Sequence, residues 1–538
     1  GSRNIKFLVN GKTSAFFSSD IATALQMIPA DEIKSVEVIT SPGAKYDGEG
    51  DAGIVNIITK KKIIDGYKGT INGSVGTRIN RQALNLTLGK GRFGLSARGG
   101  VHYSWPRLGE TDYIRKDWNI GSDTNYLTRD GSNFSQWTGY RGSVNMFYDI
   151  NAYQSITSSL SFRGRSTFSH DTTDIQYIHH SSDPDSSYEY ESYLDADNES
   201  TNIEWTTDYT KKFADNDERE FSMALQVSGE LEDDETKIEE DNEVMHNFND
   251  GFGMQETFQI DYVHPLGNSS GLSSGNSKKD EIMSGRGKHG RRGGGMSGSS
   301  SMSSNKIEVG GKIINRDKSF TYHTSDNNTV IVPQEIFNYN QQVASAYLSS
   351  QWKLPKDFGL VLGGRFELTK INGDWENGSE SQFNSSYPNF LPNIVLSKKL
   401  SMIKSLKLSF NRRITRPSSY YINPNMNRTD NKNLVIGNPE LKPSISNQLE
   451  LGYSSFSMLY QGSYYFYAKR SYDIIESNVS IQNDTSITNY LNIGESEKYG
   501  FNYYGSLMLG VVNLRGGFNA YLYLAEGGRY GKITLEDK

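Results

Sequence analysis

The sequence predicts an all-β protein, a transmembrane antiparallel β-barrel of about seventeen strands preceded by a small α+β unit. Three observations carry that reading. Beyond Tyr67 apolar and polar residues alternate with period two in segment after segment. Charged side chains fall on the face opposite the apolar one, and short connections alternate with long polar ones.

The 538 residues show one change of character, near Lys60 to Gly66, so a small domain over 1–63 is followed by a large one over 64–538. Hydrophobic residues make up 35%, mean hydropathy is -0.62, and no apolar run reaches the roughly 18 residues of a membrane helix. A helical membrane protein is therefore excluded. Low hydropathy does not count against a barrel, because only alternate strand residues face lipid. The 33 Tyr and 24 Phe beside 53 Gly and 13 Pro suit strands edged by interfacial rings and joined by tight turns. A net charge of -7 gives no general affinity for nucleic acid. The absence of cysteine carries no weight. No signal peptide opens the sequence, whose first residues already read as a strand, so the start reads as a fragment boundary.

In the small domain, Ile5 to Val9 is an apolar strand, Asn10-Gly11-Lys12 a hairpin-type turn, and Ser19 or Asp20 caps a helix over Ile21 to Ile28. A strand over Ile33 to Thr40 and another over Gly53 to Thr59 flank a glycine-rich loop, Ser41 to Gly50. The loop lacks the Walker lysine-serine pair and the ligand order of an EF-hand, so neither phosphate nor calcium binding is expected.

The string Ile28-Pro-Ala-Asp-Glu-Ile-Lys-Ser-Val-Glu-Val-Ile-Thr-Ser-Pro42, then Ala44-Lys-Tyr46 and Gly53-Ile-Val-Asn-Ile-Ile-Thr-Lys60, resembles the closing half of the plug of TonB-dependent outer-membrane transporters. The resemblance implies that 1–63 is the C-terminal half of a plug in the barrel lumen, with Glu37, Pro42, Tyr46, Gly53 and Asn56 carrying its motif. Where many relatives have Arg-Gly-Pro this chain has Thr40-Ser41-Pro42, so that arginine contact is not carried over. This departure resembles the subfamily whose members often bear an extra N-terminal domain.

In the barrel, Ile156, Leu160, Phe162 and Phe168 share one face and Ser159, Ser161, Arg163, Arg165 and Thr167 the other. The pattern returns around Leu348, Phe366 and Leu408. Charges on the inner face would be costly in a sandwich core and are ordinary in a wet or plugged lumen. Short turns are expected near 90–92, 150–153, 214–218, 355–358, 400–403 and 455–457. Long loops are expected over 107–136, 171–199, 232–252, 317–338, 371–386, 413–446 and 470–489. Gly437-Asn-Pro-Glu-Leu-Lys-Pro443 and Gln448 to Tyr453 resemble a recurrent barrel motif of the same transporters, which implies the 22-stranded type, C-terminally incomplete and without natural closure. The segment 267–305 is Gly/Ser-rich with Arg286, Lys288, His289, Arg291 and Arg292, and reads as a disordered low-complexity insertion or a docking tail for an acidic partner.

No catalytic constellation stands out, so no enzyme and no cofactor are expected. His179 and His180 beside Asp183 and Asp185, and the acidic run Glu230 to Asp241, read as solvated loop residues before metal sites, and no metal is assigned. Arg163, Arg165, Arg365, Glu367, Lys407 and Arg413 are expected to face the lumen, bracing a plug or lining a substrate path. Tyr464, Tyr465, Phe466 and Tyr467 suit an interfacial girdle.

The resemblance implies a TonB-dependent receptor in the outer membrane of a Gram-negative bacterium, taking up a scarce or bulky ligand. Its partners would be outer-membrane lipid, a TonB-type energy-coupling complex reached through an N-terminal box, and a surface lipoprotein or other outer-membrane subunit. The alternative is a plugged barrel that does not transport and serves as a structural or assembly subunit.

Overall fold

The structure is a computed structural model that describes residues 6–9, 12–13, 33–39, 42–49, 54–59, 65–118, 124–179, 187–240, 243–267, 305–326, 329–376, 382–424, 427–430, 433–482, 485–510, 512–525 and 528–537. Two units lie along the chain. The first is a four-stranded sheet of β1 (Lys6–Val9), β2 (Lys12–Thr13), β3 (Ile33–Ile39) and β4 (Ile54–Thr59), in the order β2-β1-β4-β3. Leu8, Ile54 and Ile57 form its buried side. The expected helix over 21–28 lies outside the described residues.

The second unit begins with β5 (Gly66–Ser74), β6 (Ile79–Lys90), β7 (Phe93–Trp118), β8 (Thr124–Asn151) and β9 (Gln154–His179). It continues through β10 (Tyr188–Phe213), β11 (Asn216–Glu240), β12 (Glu243–Leu266), β13 (Asn305–Asp326) and β14 (Thr329–Leu354). Next come β15 (Phe358–Glu376), β16 (Phe383–Ser401), β17 (Lys404–Thr415), the single-turn α1 (Ser419–Ile422), β18 (Asn427–Asp430) and β19 (Asn433–Ile436). The last are β20 (Ser444–Phe456), β21 (Tyr460–Tyr472), β22 (Ile475–Gln482), β23 (Thr485–Asn492), β24 (Glu495–Leu509), β25 (Val512–Ala525) and β26 (Gly528–Asp537).

Eighteen of these strands form a closed barrel in sequence order, with β26 returning to β5, and β18, β19, β23 and β22 form a separate small sheet. The sequence-based count of about seventeen strands agrees with this; the expectation that the sheet lacks natural closure does not, because β26 lies beside β5. Residue-by-residue antiparallel ladders run along the seams from β5 through β26 and between β9 and β10.

Sequence neighbours on β13–β16 alternate sharply in exposure: Lys312 7% and Ile313 59%, Tyr347 4% and Leu348 57%, Arg365 2% and Phe366 52%, Leu391 4% and Phe390 58%. The exposed partners are apolar and form the outer belt. The buried partners include the charges, so the polar face is the inner one, as a lipid-embedded sheet requires. Among the described residues no helix is long and apolar enough to cross a membrane.

The short turns fall where the sequence places them, at 91–92, 152–153, 214–215, 355–357 and 402–403. Most of the expected long loops do not exist as loops. Residues 107–116, 126–136, 171–178, 189–199 and 317–325 continue the ladders of β7–β10 and β13. β8 alone has 28 residues, against the roughly 9–11 that span a bilayer. The reason is that pairing needs only continued hydrogen bonding, and above the lipid both faces can be polar. One side of the barrel, β7–β14, therefore rises as a tall wall, while β17, β20 and β21 have only 12 or 13 residues. The acidic run Glu230–Glu240 is part of that wall and not a loop.

The aromatic run splits by alternation. Phe466 is exposed on the lipid side beside Phe501, and Tyr464 stacks with Tyr503, while Tyr465 and Tyr467 take the opposite parity and face inward. Only half of the run suits a girdle.

Leu348→Arg places a guanidinium in the lipid belt and is expected to destabilise the folded barrel by roughly 2–4 kcal/mol. Ser161→Arg on the inner face is expected to cost far less, and urea unfolding followed by heat-modifiable gel mobility separates the two.

Candidate functional site

The residues that converge most densely join the loop 42–49 to the inner face of β13–β17. Barrel register sets the receiving surface. Lys312, Ser345, Glu367 and Asn389 lie side by side on one rung across β13–β16, and Tyr347, Arg365 and Leu391 on the next. All project inward, so four strands contribute to one patch without any being close in sequence.

The loop enters that patch with two carboxylates. Asp47 receives the Lys312 ammonium at 3.0 Å to each oxygen, and Arg365 Nη2 lies 3.5 Å from Oδ1. Glu49 Oε2 lies 3.5 Å from Arg416 Nη1 and 3.7 Å from Arg316 Nη2. Glu367, itself 1% exposed, pairs with both Arg365 and Arg416 and accepts the Gly48 N–H at 3.3 Å. It is the anion that lets two buried guanidiniums sit together.

The loop backbone is held as firmly as its side chains. Arg413 Nη2 donates to the Asp47 carbonyl at 2.9 Å and the Glu49 carbonyl at 2.6 Å. The Ile414 N–H donates to the Gly48 carbonyl at 3.0 Å, making a parallel bridge between Glu49 and Ile414. Asn393 Nδ2 donates to the Pro42 carbonyl at 3.1 Å. Gly48 is required by space: a Cβ there would lie 2.1 Å from Leu391 Cδ1 and 3.2 Å from Glu367 Oε2.

Above this seat lies a cap from the segment after β17. Ser418 caps α1, which sends Ile422 into a buried cluster with Phe320, Phe337, Tyr339 and Ile371. Asn423 Nδ2 donates to Tyr322 Oη at 2.7 Å. The Gly437–Pro443 motif holds the cap down. Gly437 N–H donates to the Asn423 carbonyl at 3.0 Å, where a Cβ on residue 437 would collide, and Asn438 links Tyr421 to Tyr490 through its backbone and side-chain amides. Burial, with Tyr420 beside it, pushes the Tyr490 phenol up to about 12.

Of the lumen residues expected from sequence, Arg365, Glu367 and Arg413 meet at the loop seat. Lys407 lies on the same inner face of β17, three rungs below Arg413. Arg163 and Arg165 lie on β9, on the tall wall and away from the seat strands. Among the motif residues, Pro42 is buried at the seat, the Tyr46 N–H closes a turn onto the Gly43 carbonyl at 3.1 Å, and buried Asn56 on β4 pairs in register with Glu37 on β3. Gly53, His180, Asp183 and Asp185 lie outside the described residues, as does the 267–305 insertion apart from Gly267 and Asn305. Sequence reasoning missed Asp47, Glu49, Lys312, Arg316, Asn393 and Arg416. The inward parity of Lys312 and Arg316 was available, whereas Arg416 follows the end of β17, where parity no longer applies.

Residues 300–534 match the outer membrane protein beta-barrel family. No curated protein aligns significantly with the chain. Solved structures share the fold at low identity. The copper transporter OprC is 12% identical with a TM-score of 0.62, over 98% of this chain and 72% of that one. The alcaligin outer-membrane receptor FauA of Bordetella pertussis is 14% identical with a TM-score of 0.56, over 98% and 75%. The siderophore receptor PirA of Pseudomonas aeruginosa is 14% identical with a TM-score of 0.53, over 99% and 85%. The chain is thus an outer-membrane β-barrel with the fold of these receptors.

Glu367→Ala leaves Arg365 and Arg416 buried without their shared counter-charge, an expected loss of roughly 3–5 kcal/mol at the seat. Hydrogen exchange over residues 42–49 should accelerate while the ladders of β8–β10 stay protected. Unchanged exchange in the loop would mean that the ion pairs do not hold it.

Proposed function

We propose that the chain is an energised outer-membrane receptor in which the N-terminal sheet and its 42–49 loop act as a plug that is displaced to admit a ligand too bulky or scarce for passive pores. The observation that carries this reading is the seat itself. A segment more than 260 residues distant from Lys312 in sequence closes against the inner wall through side-chain ion pairs and backbone hydrogen bonds together. The likeness to receptors named for siderophores and for copper supports the same role.

Buried ion pairs of this kind resist thermal opening, because breaking them leaves charges uncompensated in a poorly solvated place. Displacement therefore calls for work done from outside the barrel, which a TonB-type complex in the inner membrane supplies. Ligand contacts belong to the inner face of the tall wall and the cap, above the seat.

The chain contains no cysteine, and Ala44 is 5% exposed, so an Ala44→Cys variant reports on displacement. In native cells its maleimide labelling is expected to rise when the inner membrane is energised and to fall with an uncoupler. A Cβ on Gly363 would lie 3.1 Å from Ala44 Cβ, near disulfide range, so an oxidised A44C/G363C pair should abolish energised uptake and a reductant should restore it. Labelling indifferent to the uncoupler would favour a permanent stopper.

A further inference from the structure

At the upper edge of the exposed apolar belt, the inner face of the tall wall sets arginines and carboxylates on separate strands. Register sets Arg163, Asn202 and Glu230 on one rung across β9–β11, Arg165, Ser200 and Glu232 on the next, and Thr167, Asn198 and Asp234 on the third. Strands lie about 4.8 Å apart, so the arginine and carboxylate columns are separated by about 10 Å. Between them stand only short, neutral side chains.

Arg165 is exposed, its guanidinium lying 5.3 Å from the centroid of the Trp137 ring and donating to Thr167 Oγ1 at 3.1 Å. Among the described residues it has no carboxylate partner. Across the groove Lys318 is engaged by Glu230 at 3.1 Å. Among the described residues Asp234 accepts the Asn249 amide at 3.4 Å, and Glu232 shares a hydrogen bond with Glu230 and lies within the field of Lys318 without a salt bridge of its own. Gly251 and Gly253 flank the carboxylates on β12; a Cβ on Gly251 would lie 3.2 Å from Glu232 Cβ. The bare backbone there gives room to the carboxylates themselves, to the Phe320 ring and to the stem of Lys318.

We infer that this wall binds an oligopeptide, with a carboxylate set on Arg165 and an ammonium set between Glu232 and Asp234. An extended chain advances roughly 3.3–3.6 Å per residue, so the termini of a tripeptide, or charged groups at that spacing in a longer peptide, span about 10 Å. Asn198, Ser200 and Asn202 between the columns offer amides and a hydroxyl to peptide N–H and C=O groups. A single sugar ring is too short to reach both charges. The inference rests on the receptor reading above and names its ligand class.

The test is calorimetric titration of the full chain in detergent with trialanine, its N-acetyl and C-amide forms, and glucosamine 6-phosphate. Trialanine is expected to bind, and Arg165→Gln or Glu232→Gln to weaken it at least about tenfold, the size of one charged contact. Amidation should cost nothing further in R165Q, and acetylation nothing further in E232Q. Variants are compared only where heat-modifiable gel mobility shows an intact barrel. No trialanine binding by the intact barrel, equal binding of the doubly capped peptide, or preference for the sugar phosphate would overturn the inference. Each of those results leaves the energised exposure of Ala44 unaffected, so the ligand class and the transport reading fail separately.

Discussion

Every inward position in this molecule depends on backbone pairing around a ring. In lipid each N–H and C=O needs a protein partner, so strands pair on both edges and the register of each fixes the register of the next. Period-two geometry then sends alternate side chains to the lumen at heights set by that register. Lys312, Ser345, Glu367 and Asn389 come from four strands and lie on one rung for this reason alone. A one-residue slip on any of these strands would turn its polar side chain toward lipid, so the apolar belt that stabilises the barrel also enforces the geometry of the seat.

The seat solves a problem of charge balance. Among the described residues five cations, Lys312, Arg316, Arg365, Arg413 and Arg416, surround three anions, Asp47, Glu49 and Glu367. Carboxylates on the loop alone would leave the guanidiniums repelling one another, and Glu367 placed between Arg365 and Arg416 relieves that repulsion from the barrel side. Arg413 donates to the Asp47 and Glu49 backbone carbonyls and so ties the loop through its main chain.

Alternation made much of this legible before any coordinates. It identified the lumen faces of β9, β15 and β17 and the short turns, because lipid punishes an error of parity and the signal survives in each strand separately. It failed where lipid no longer acts. Residues 189–199 and 317–325 no longer set apolar against polar by strict alternation and look like loops, yet their ladders continue. The seat was only half legible for a related reason: parity says that Lys312 and Glu367 point inward, but not that both point at Asp47. That relation depends on register summed over several strands. Gly48 gave no signal either, since its necessity arises from the approach of Leu391, over 340 positions away.

The wall is of unequal height, and the seat lies between its two sides. From the low side, α1 reaches in and buries Ile422 against Phe337 and Ile371; on the high side, the inner faces of β8 and β9 rise further and bury Leu127, Ile175 and Tyr177. Arg416 stands where these two regions meet the loop. It follows β17, lies three positions before α1, and binds both Glu367 and Glu49. Any shift of the cap that draws Arg416 upward takes a counter-ion from Glu49 and from Glu367 together, weakening the seat at its most buried point. A ligand that moved the cap would thus loosen the loop through one side chain, with no change needed in the barrel ladders.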